Sequence, residues 1–204
     1  MRHFYHVWAD GAWQAPLAEH VAAMKASGPP AVLEAGIIGS PENRAAVRSA
    51  LDSTGVKWTL AVSADAGFEG VTLTALHTAA AGDDGPFLYA HTKGASQDDE
   101  FHARWRRGTT SVVVGRWREC VQALSWSDLA GAHWLAAGLQ FSTGFVTIDV
   151  PESHFGGNFW WGSGAYLCAL PAPPMAQFEA ETWVGQNSPQ VTDLSPGMPG
   201  RVYL

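Results

Sequence analysis

From residue 4 to residue 90, short apolar runs alternate with stretches whose apolar positions recur at helical spacing. Such alternation marks βαβ units and a largely parallel sheet. The pattern predicts strands over residues 4–9, 32–39, 57–63 and 87–90, and helices over 16–27, 41–53 and 72–81. Pro16 suits the first turn of its helix, where a backbone N–H goes unpaired anyway. The 32–39 run is almost wholly apolar, as expected of a strand buried on both faces.

The second half reads differently. A mostly helical segment over 105–124 places Val113, Trp117, Val121 and Leu124 on one face, and Gly108 is expected to interrupt its beginning. Residues 145–150 alternate and predict a strand. Residues 155–161 read as a loop rich in Gly and aromatics, leading into a short helix over 163–170 that Pro171 stops. From residue 185 Pro and Gly recur without a period, which predicts an extended tail lying on the body or on a neighbouring subunit. The expected organisation is therefore one α/β domain over 1–184 and a Pro/Gly-rich tail over 185–204.

Composition narrows the function classes. With 47% hydrophobic and 15% charged residues in 204, the chain supports one full core and is not a disordered polymer. A formal net charge of −7 argues against general nucleic-acid binding, because phosphate backbones attract positive surfaces. Yet six of the 12 basic residues (Lys93, Arg104, Arg106, Arg107, Arg116 and Arg118) fall within one short stretch. That patch suits a compact anionic ligand, unless it is only a solvated helix face. Cys120 and Cys168 are too few for a disulfide framework, and both are expected to be buried free thiols. No apolar run is long enough for a signal peptide or a membrane span, so the expected location is cytoplasmic.

In open α/β sheets ligands bind where loops gather at the carboxyl ends of the strands. Four such loops are expected, carrying Asp10, Gly39 with Ser40, Asp65, and His91-Thr92-Lys93-Gly94. Asp10 and Asp65 beside Gly are more ordinarily turn or cap residues. A Lys followed by Gly at the end of a buried strand instead offers a point charge and a bare backbone to an anion such as phosphate. A second candidate is Phe155-Gly156-Gly157-Asn158-Phe159-Trp160-Trp161, where one indole of the pair is expected to line a groove and pack on a sugar ring beside the Asn158 amide. Taken singly, either Trp is better read as core. A third is Glu179-Ala180-Glu181-Thr182-Trp183, in which a carboxylate beside an aromatic suits a general base. Asp149, Glu152 and His154 resemble a metal-ligand group, with nothing to distinguish them from a polar loop. The P-loop, dinucleotide, Gly-x-Ser-x-Gly and His-Glu-x-x-His signatures are absent.

Taken in order, Leu88-Tyr89-Ala90-His91-Thr92-Lys93-Gly94, Trp105-Arg106, Gly157-Asn158-Phe159-Trp160-Trp161 and Glu181-Thr182-Trp183 resemble a family of small bacterial and viral proteins related to GT-A glycosyltransferases. Glu69, Thr72, Leu73 and Leu76 fit an upstream element of the same family. The resemblance spans roughly residues 4–183. It implies a GT-A-like, Rossmann-like, mostly parallel sheet flanked by helices. It also implies transfer of a sugar from a nucleotide sugar to a hydroxyl of a glycan or glycosylated acceptor. A non-catalytic nucleotide- or glycan-binding protein is the alternative. In that scheme Asp65, Gly39, Thr92, Gly94 and Arg106 border the donor, and Lys93 and Arg106 neutralise the departing diphosphate. His91 orients; Asn158, Trp160, Trp161 and Trp183 hold sugar; Glu181 is the base. Classical members hold a divalent metal, Mn or Mg, with an Asp-x-Asp pair, where this chain has His91-Thr92-Lys93. The resemblance thus implies no certain cofactor. Metal-free neutralisation by Lys93 is favoured over a metal held by His91, because the neighbouring charge is already positive. An oligomer is compatible with all of this.

Overall fold

A computed structural model describes residues 1–92, 99–138, 140–142 and 147–195, without the side chains of 140–142, 147–149, 177 and 178. The first half is a strict alternation: β1 (Arg2–Trp8), α1 (Gln14–Ser27), β2 (Leu33–Ile38), α2 (Pro41–Thr54), β3 (Trp58–Ala64), α3 (Glu69–Ala80) and β4 (Pro86–His91). Each agrees with its predicted counterpart to within a few residues. Then come α4 (Glu100–Val113), α5 (Trp117–Ala123), β5 (Leu129–Gly131), β6 (Trp134–Leu135), β7 (Gln140–Ser142), β8 (Thr147–Asp149), β9 (His154–Phe155) and β10 (Trp160–Ser163). The chain continues through α6 (Gly164–Ala169), α7 (Gln177–Thr182), a 3₁₀ turn (Trp183–Gly185) and β11 (Val191–Asp193).

Seven strands form one sheet in the order β11-β5-β10-β4-β1-β2-β3. β1 pairs in parallel with both β2 and β4, β2 with β3, and β11 with β5. β10 pairs antiparallel with β4 and with β5 and alone reverses the common direction. The single-domain, mostly parallel α/β layout expected from the sequence is therefore the observed one. Two short antiparallel ribbons, β6 with β9 and β7 with β8, lie outside this sheet.

Successive strand residues face opposite sides, and helices cover both. One face buries Tyr5, Val7, Leu88, Ala90 and Trp161 against Leu17, Val21, Val47, Leu51 and Val113 from α1, α2 and α4. The other buries Phe4, Phe87, Tyr89 and Trp160 against Leu73, Leu76, Leu167 and Trp183 from α3, α6 and the 3₁₀ turn. The α3 layer sits unusually close to the sheet. A Cβ on Gly36 of β2 would lie 2.0 Å from Thr72 Oγ1, so only Gly admits that hydroxyl.

The structure corrects several expectations. The 105–124 helix is two helices, and Gly108 lies inside α4 rather than breaking it. The break falls at Gly115, where a Cβ would meet the Ser111 carbonyl oxygen at 2.3 Å. The expected 155–161 loop ends in a central strand, β10. Within the expected 185–204 tail, Val191–Asp193 adds β11 to the sheet beside β5, and residues 196–204 lie outside the described residues. Of the two thiols, Cys120 is buried but Cys168 is exposed, because Leu167 takes the inward position of α6. Burial pushes the Cys120 thiol up to about 12. Among the described residues no helix is long and apolar enough to cross a membrane.

Candidate functional site

The helices after β1 and β2 lie on one face, whereas the helix between β3 and β4 lies on the other. Strands β1 and β4 are neighbours, and the chain leaves β1 toward β2 but leaves β4 toward β5, on opposite sides in the strand order. This is a topological switch point, the place where open α/β sheets leave a crevice. Thr92, just past β4, pins its two lips. Its N–H donates to the His6 carbonyl at 3.0 Å, and its Oγ1 accepts from the Trp8 N–H at 3.1 Å.

On the α3 side of this crevice polar groups converge on Glu69, the first residue of α3. Glu69 Oε2 accepts from the Tyr89 hydroxyl at 2.9 Å and from Asn158 Nδ2 at 2.6 Å. His91 Nδ1 lies 3.3 Å from Glu69 Oε1, while its Nε2 donates to the Gly157 carbonyl at 2.8 Å. Asn158 has a left-handed backbone (φ 55°), and its Oδ1 accepts from Trp160 Nε1 at 2.7 Å. One carboxylate thereby ties α3, β4 and the turn before β10 together. Beside it, His6 Nδ1 is 2.8 Å from Thr72 Oγ1, the hydroxyl that Gly36 makes room for. Burial lowers the His6 imidazole to about 4, although the Glu69 charge opposes that shift. Burial, then the negative charge of Glu69, raises the Tyr89 phenol well above its usual value, and Glu181 adds to the effect. The charge of the half-buried Glu181 on α7 thus acts on the same phenol.

The other expected residues fall into place less uniformly. Asp10 does cap-like work: its Oδ1 accepts from the Ser40 N–H at 2.9 Å and from Asn43 Nδ2 at 2.8 Å, at the start of α2. Those two bonds, Asn43 first, hold its carboxyl below the usual range. Gly39 packs against that carboxylate. Asp65 is at the carboxyl end of β3, paired with Arg44 of α2. Lys93 and Gly94 lie outside the described residues.

Five assignments do not survive the geometry. Trp160 and Trp161 are both fully buried, because adjacent residues of a central strand point into opposite helix-covered layers. Their indole N–H groups are spent on Asn158 and on the Val113 carbonyl. Trp183 is buried as well, donating to the Pro171 carbonyl at 2.8 Å. The Asn158 amide is engaged at both ends by Glu69 and Trp160, which leaves it to shape the turn rather than to hold a ligand. Arg106 is not an unclaimed cation for diphosphate: Nε and Nη2 clasp Glu19 of α1 at 2.7 and 3.1 Å. Arg107 pairs with Glu100 and Arg116 with Glu119, so much of the expected cationic patch is internally neutralised.

Among the described residues no group of three His, Cys, Asp or Glu side chains is arranged to hold a metal ion. The Asp149 side chain is outside the described set, and His154 Nδ1 donates to the Glu152 carbonyl at 2.8 Å. At the end of β4 His91 has both ring nitrogens engaged and Thr92 is a backbone clamp. These residues do not fit a metal.

Several residues without a chemical signature in the sequence are the most telling here. From the sequence Glu69 is only part of a helix start, and His6 only part of an apolar strand. Trp8 and Phe68, which display 38% and 47% of their surface at this end of the sheet, had no role at all. A His within an otherwise apolar strand, and an aromatic just before a helix that begins with Glu, were the available signals.

A family model described as "Domain of unknown function (DUF8361)" matches residues 4–194. The chain belongs to the DUF8361 family. No curated protein sequence matches it. Among solved structures, the bifunctional IspDF of Campylobacter jejuni is similar over 98% of this chain and 51% of its own, with a TM-score of 0.53 and 6% identity. This DUF8361 chain therefore spans about half the length of that protein. HddC of Yersinia pseudotuberculosis is similar over 95% of this chain and 90% of its own, with a TM-score of 0.50 and 9% identity. At such identities the likeness is one of fold.

Proposed function

We propose that this DUF8361 protein is a glycosyltransferase that moves a sugar from a nucleotide-sugar donor to a hydroxyl acceptor at the β1/β4 crevice. The observation that carries the reading is the placement of Glu181. It is a half-buried carboxylate on α7, whose charge acts on the buried Tyr89 phenol that Glu69 holds. The acceptor oxygen attacks the anomeric carbon, and the bond from that carbon to the diphosphate oxygen breaks with its electron pair leaving on the diphosphate. The acceptor proton passes to Glu181. His91 acts at one remove, by holding Glu69 and the Gly157 turn. Lys93 remains the proposed counter-charge for the diphosphate, and the Gly39 and Asp65 loops the border of the nucleotide. No step is assigned to a metal.

One observation favours the alternative of a non-catalytic nucleotide- or glycan-binding protein. Glu69 and Asn158 bond each other and their neighbours, as a rigid scaffold would. Incubation with a panel of nucleotide sugars, following release of nucleoside diphosphate, decides between them. Release that depends on Glu181 supports the enzyme, whereas binding without release supports the alternative. Absence of any binding by the folded protein removes both.

A further inference from the structure

The crevice has two sides with different chemistry, and the α3 side is built for a neutral ring. Its charged members acting on Tyr89 and His6 include two carboxylates, Glu69 and Glu181. Carboxylates repel phosphate but accept hydrogen bonds from sugar hydroxyls. At its base stands His6, 4% exposed, whose Nδ1 is engaged by Thr72. Its Nε2 has no partner among the described residues and is not among the polar atoms sealed from solvent. With the Thr72 hydroxyl donating to Nδ1, the neutral ring presents Nε2–H as a donor. Trp8 lies two residues on along β1, on the same face, with its backbone pinned by Thr92. Phe68 immediately precedes Glu69 in an extended conformation (φ −118°, ψ −165°) that leaves its ring in solvent. Two exposed aromatics, one ending β1 and one heading α3, therefore share this end of the sheet with a neutral imidazole and two carboxylates, whereas the indoles expected to hold sugar are buried in the core.

We propose that the α3 side of the crevice is a sugar subsite. In it His6 Nε2–H donates to a ring hydroxyl, and Trp8 and Phe68 pack against the apolar face of the ring. This assignment rests on the glycosyltransferase reading, and it names which part of the donor or acceptor each side receives. The diphosphate belongs to the other side.

The test compares the affinity of the intact protein for UDP-glucose with that for UDP, and for GDP-mannose with that for GDP, by titration calorimetry. ¹⁵N-histidine spectra are recorded in parallel. The sugar should add affinity to at least one nucleotide and shift the His6 Nε2 resonance. Trp8→Ala, at an exposed position that tolerates truncation, should reduce affinity for that nucleotide sugar about tenfold while leaving the nucleoside diphosphate unchanged. His6→Asn should do the same, and Phe68→Ala to a smaller extent. Nucleotides that bind equally with and without the sugar, or a sugar contribution indifferent to Trp8 and His6, overturn the subsite and leave the nucleotide-binding reading standing. If no nucleotide and no nucleotide sugar binds the folded protein, both fall.

Discussion

Glu69 and Asn158, 89 residues apart in the chain, are joined by a 2.6 Å hydrogen bond that closes the α3 side of the crevice. Neither residue is placed by its own element alone. Glu69 begins α3 after the turn at Gly67, and Asn158 sits in a left-handed turn whose Oδ1 is claimed by the buried Trp160 indole. The bond makes the approach to β10 and the start of α3 one rigid wall, with Tyr89 and His91 as further struts.

Replacing Glu69 by Ala should therefore cost stability well beyond a surface substitution. The buried Tyr89 hydroxyl and Asn158 amide each lose their acceptor, at roughly 1–3 kcal/mol per unsatisfied group. Urea unfolding should show a loss of about 3 kcal/mol, and Glu69→Gln a smaller one because an amide oxygen still accepts. A Glu69→Ala protein as stable as the parent would mean that the wall is held by packing alone.

Acid should loosen the fold before carboxylates begin to protonate. Burial lowers His3 to about 3 and His6 to about 4, and lowers His20 well below its usual value. His3 and His20 meet Nε2 to Nε2 at 2.9 Å between β1 and α1, with Tyr5 stacked on His20. Each of the three has a folded-state affinity for protons below that of the unfolded chain. Their stabilising contribution is complete above about pH 6.5 and falls as the pH drops toward the folded values, by up to roughly 1.4 kcal/mol per pH unit for each group. Urea midpoints should decrease steeply from pH 7 to pH 5, and His20→Leu should flatten that dependence. An unchanged midpoint over the interval would show that the imidazoles are hydrated.

The βαβ half of this fold is legible because a parallel strand covered on both faces is one apolar run. Leu33–Ile38 needs no partner to be recognised, and the location of the crevice follows from where such runs end. β10 is illegible for the opposite reason. Two adjacent indoles look like a displayed pair until antiparallel pairing with Pro86–Tyr89 sends each into a different helix-covered layer. The same holds within the site. His91 and Thr92 announce themselves at a strand end, but Glu69 acquires its role only from Tyr89, His91 and Asn158, contacts that span up to 89 residues. Arg106 misleads in reverse, since its cation is cancelled by Glu19, 87 positions away.

Gly36→Ala tests how tightly α3 is set against the sheet. The added methyl would lie 2.0 Å from Thr72 Oγ1 and 2.8 Å from its Cγ2, so Thr72 must move. Overpacking of this kind costs about 1–3 kcal/mol. It should also break the His6–Thr72 contact and change the His6 ¹⁵N shifts. Combined with Thr72→Ala, which removes the Oγ1 and Cγ2 and leaves only the Thr72 Cβ at 2.9 Å, the cost of Gly36→Ala should be less than additive. Additive losses would place the clash elsewhere.

Glu181→Gln separates chemistry from binding. The side chain is half-buried on α7, its charge acts on the Tyr89 phenol, and the amide is nearly isosteric with the carboxylate it replaces. Unfolding free energy should change by no more than about 0.5 kcal/mol. Release of nucleoside diphosphate from the active nucleotide sugar should fall about 10²–10⁴-fold, the usual worth of a general base, while the affinity for that nucleotide sugar is retained. Raising the pH should not restore the variant, because Gln cannot take a proton at any pH. Undiminished turnover in Glu181→Gln would shift the role of base to another group on the crevice wall.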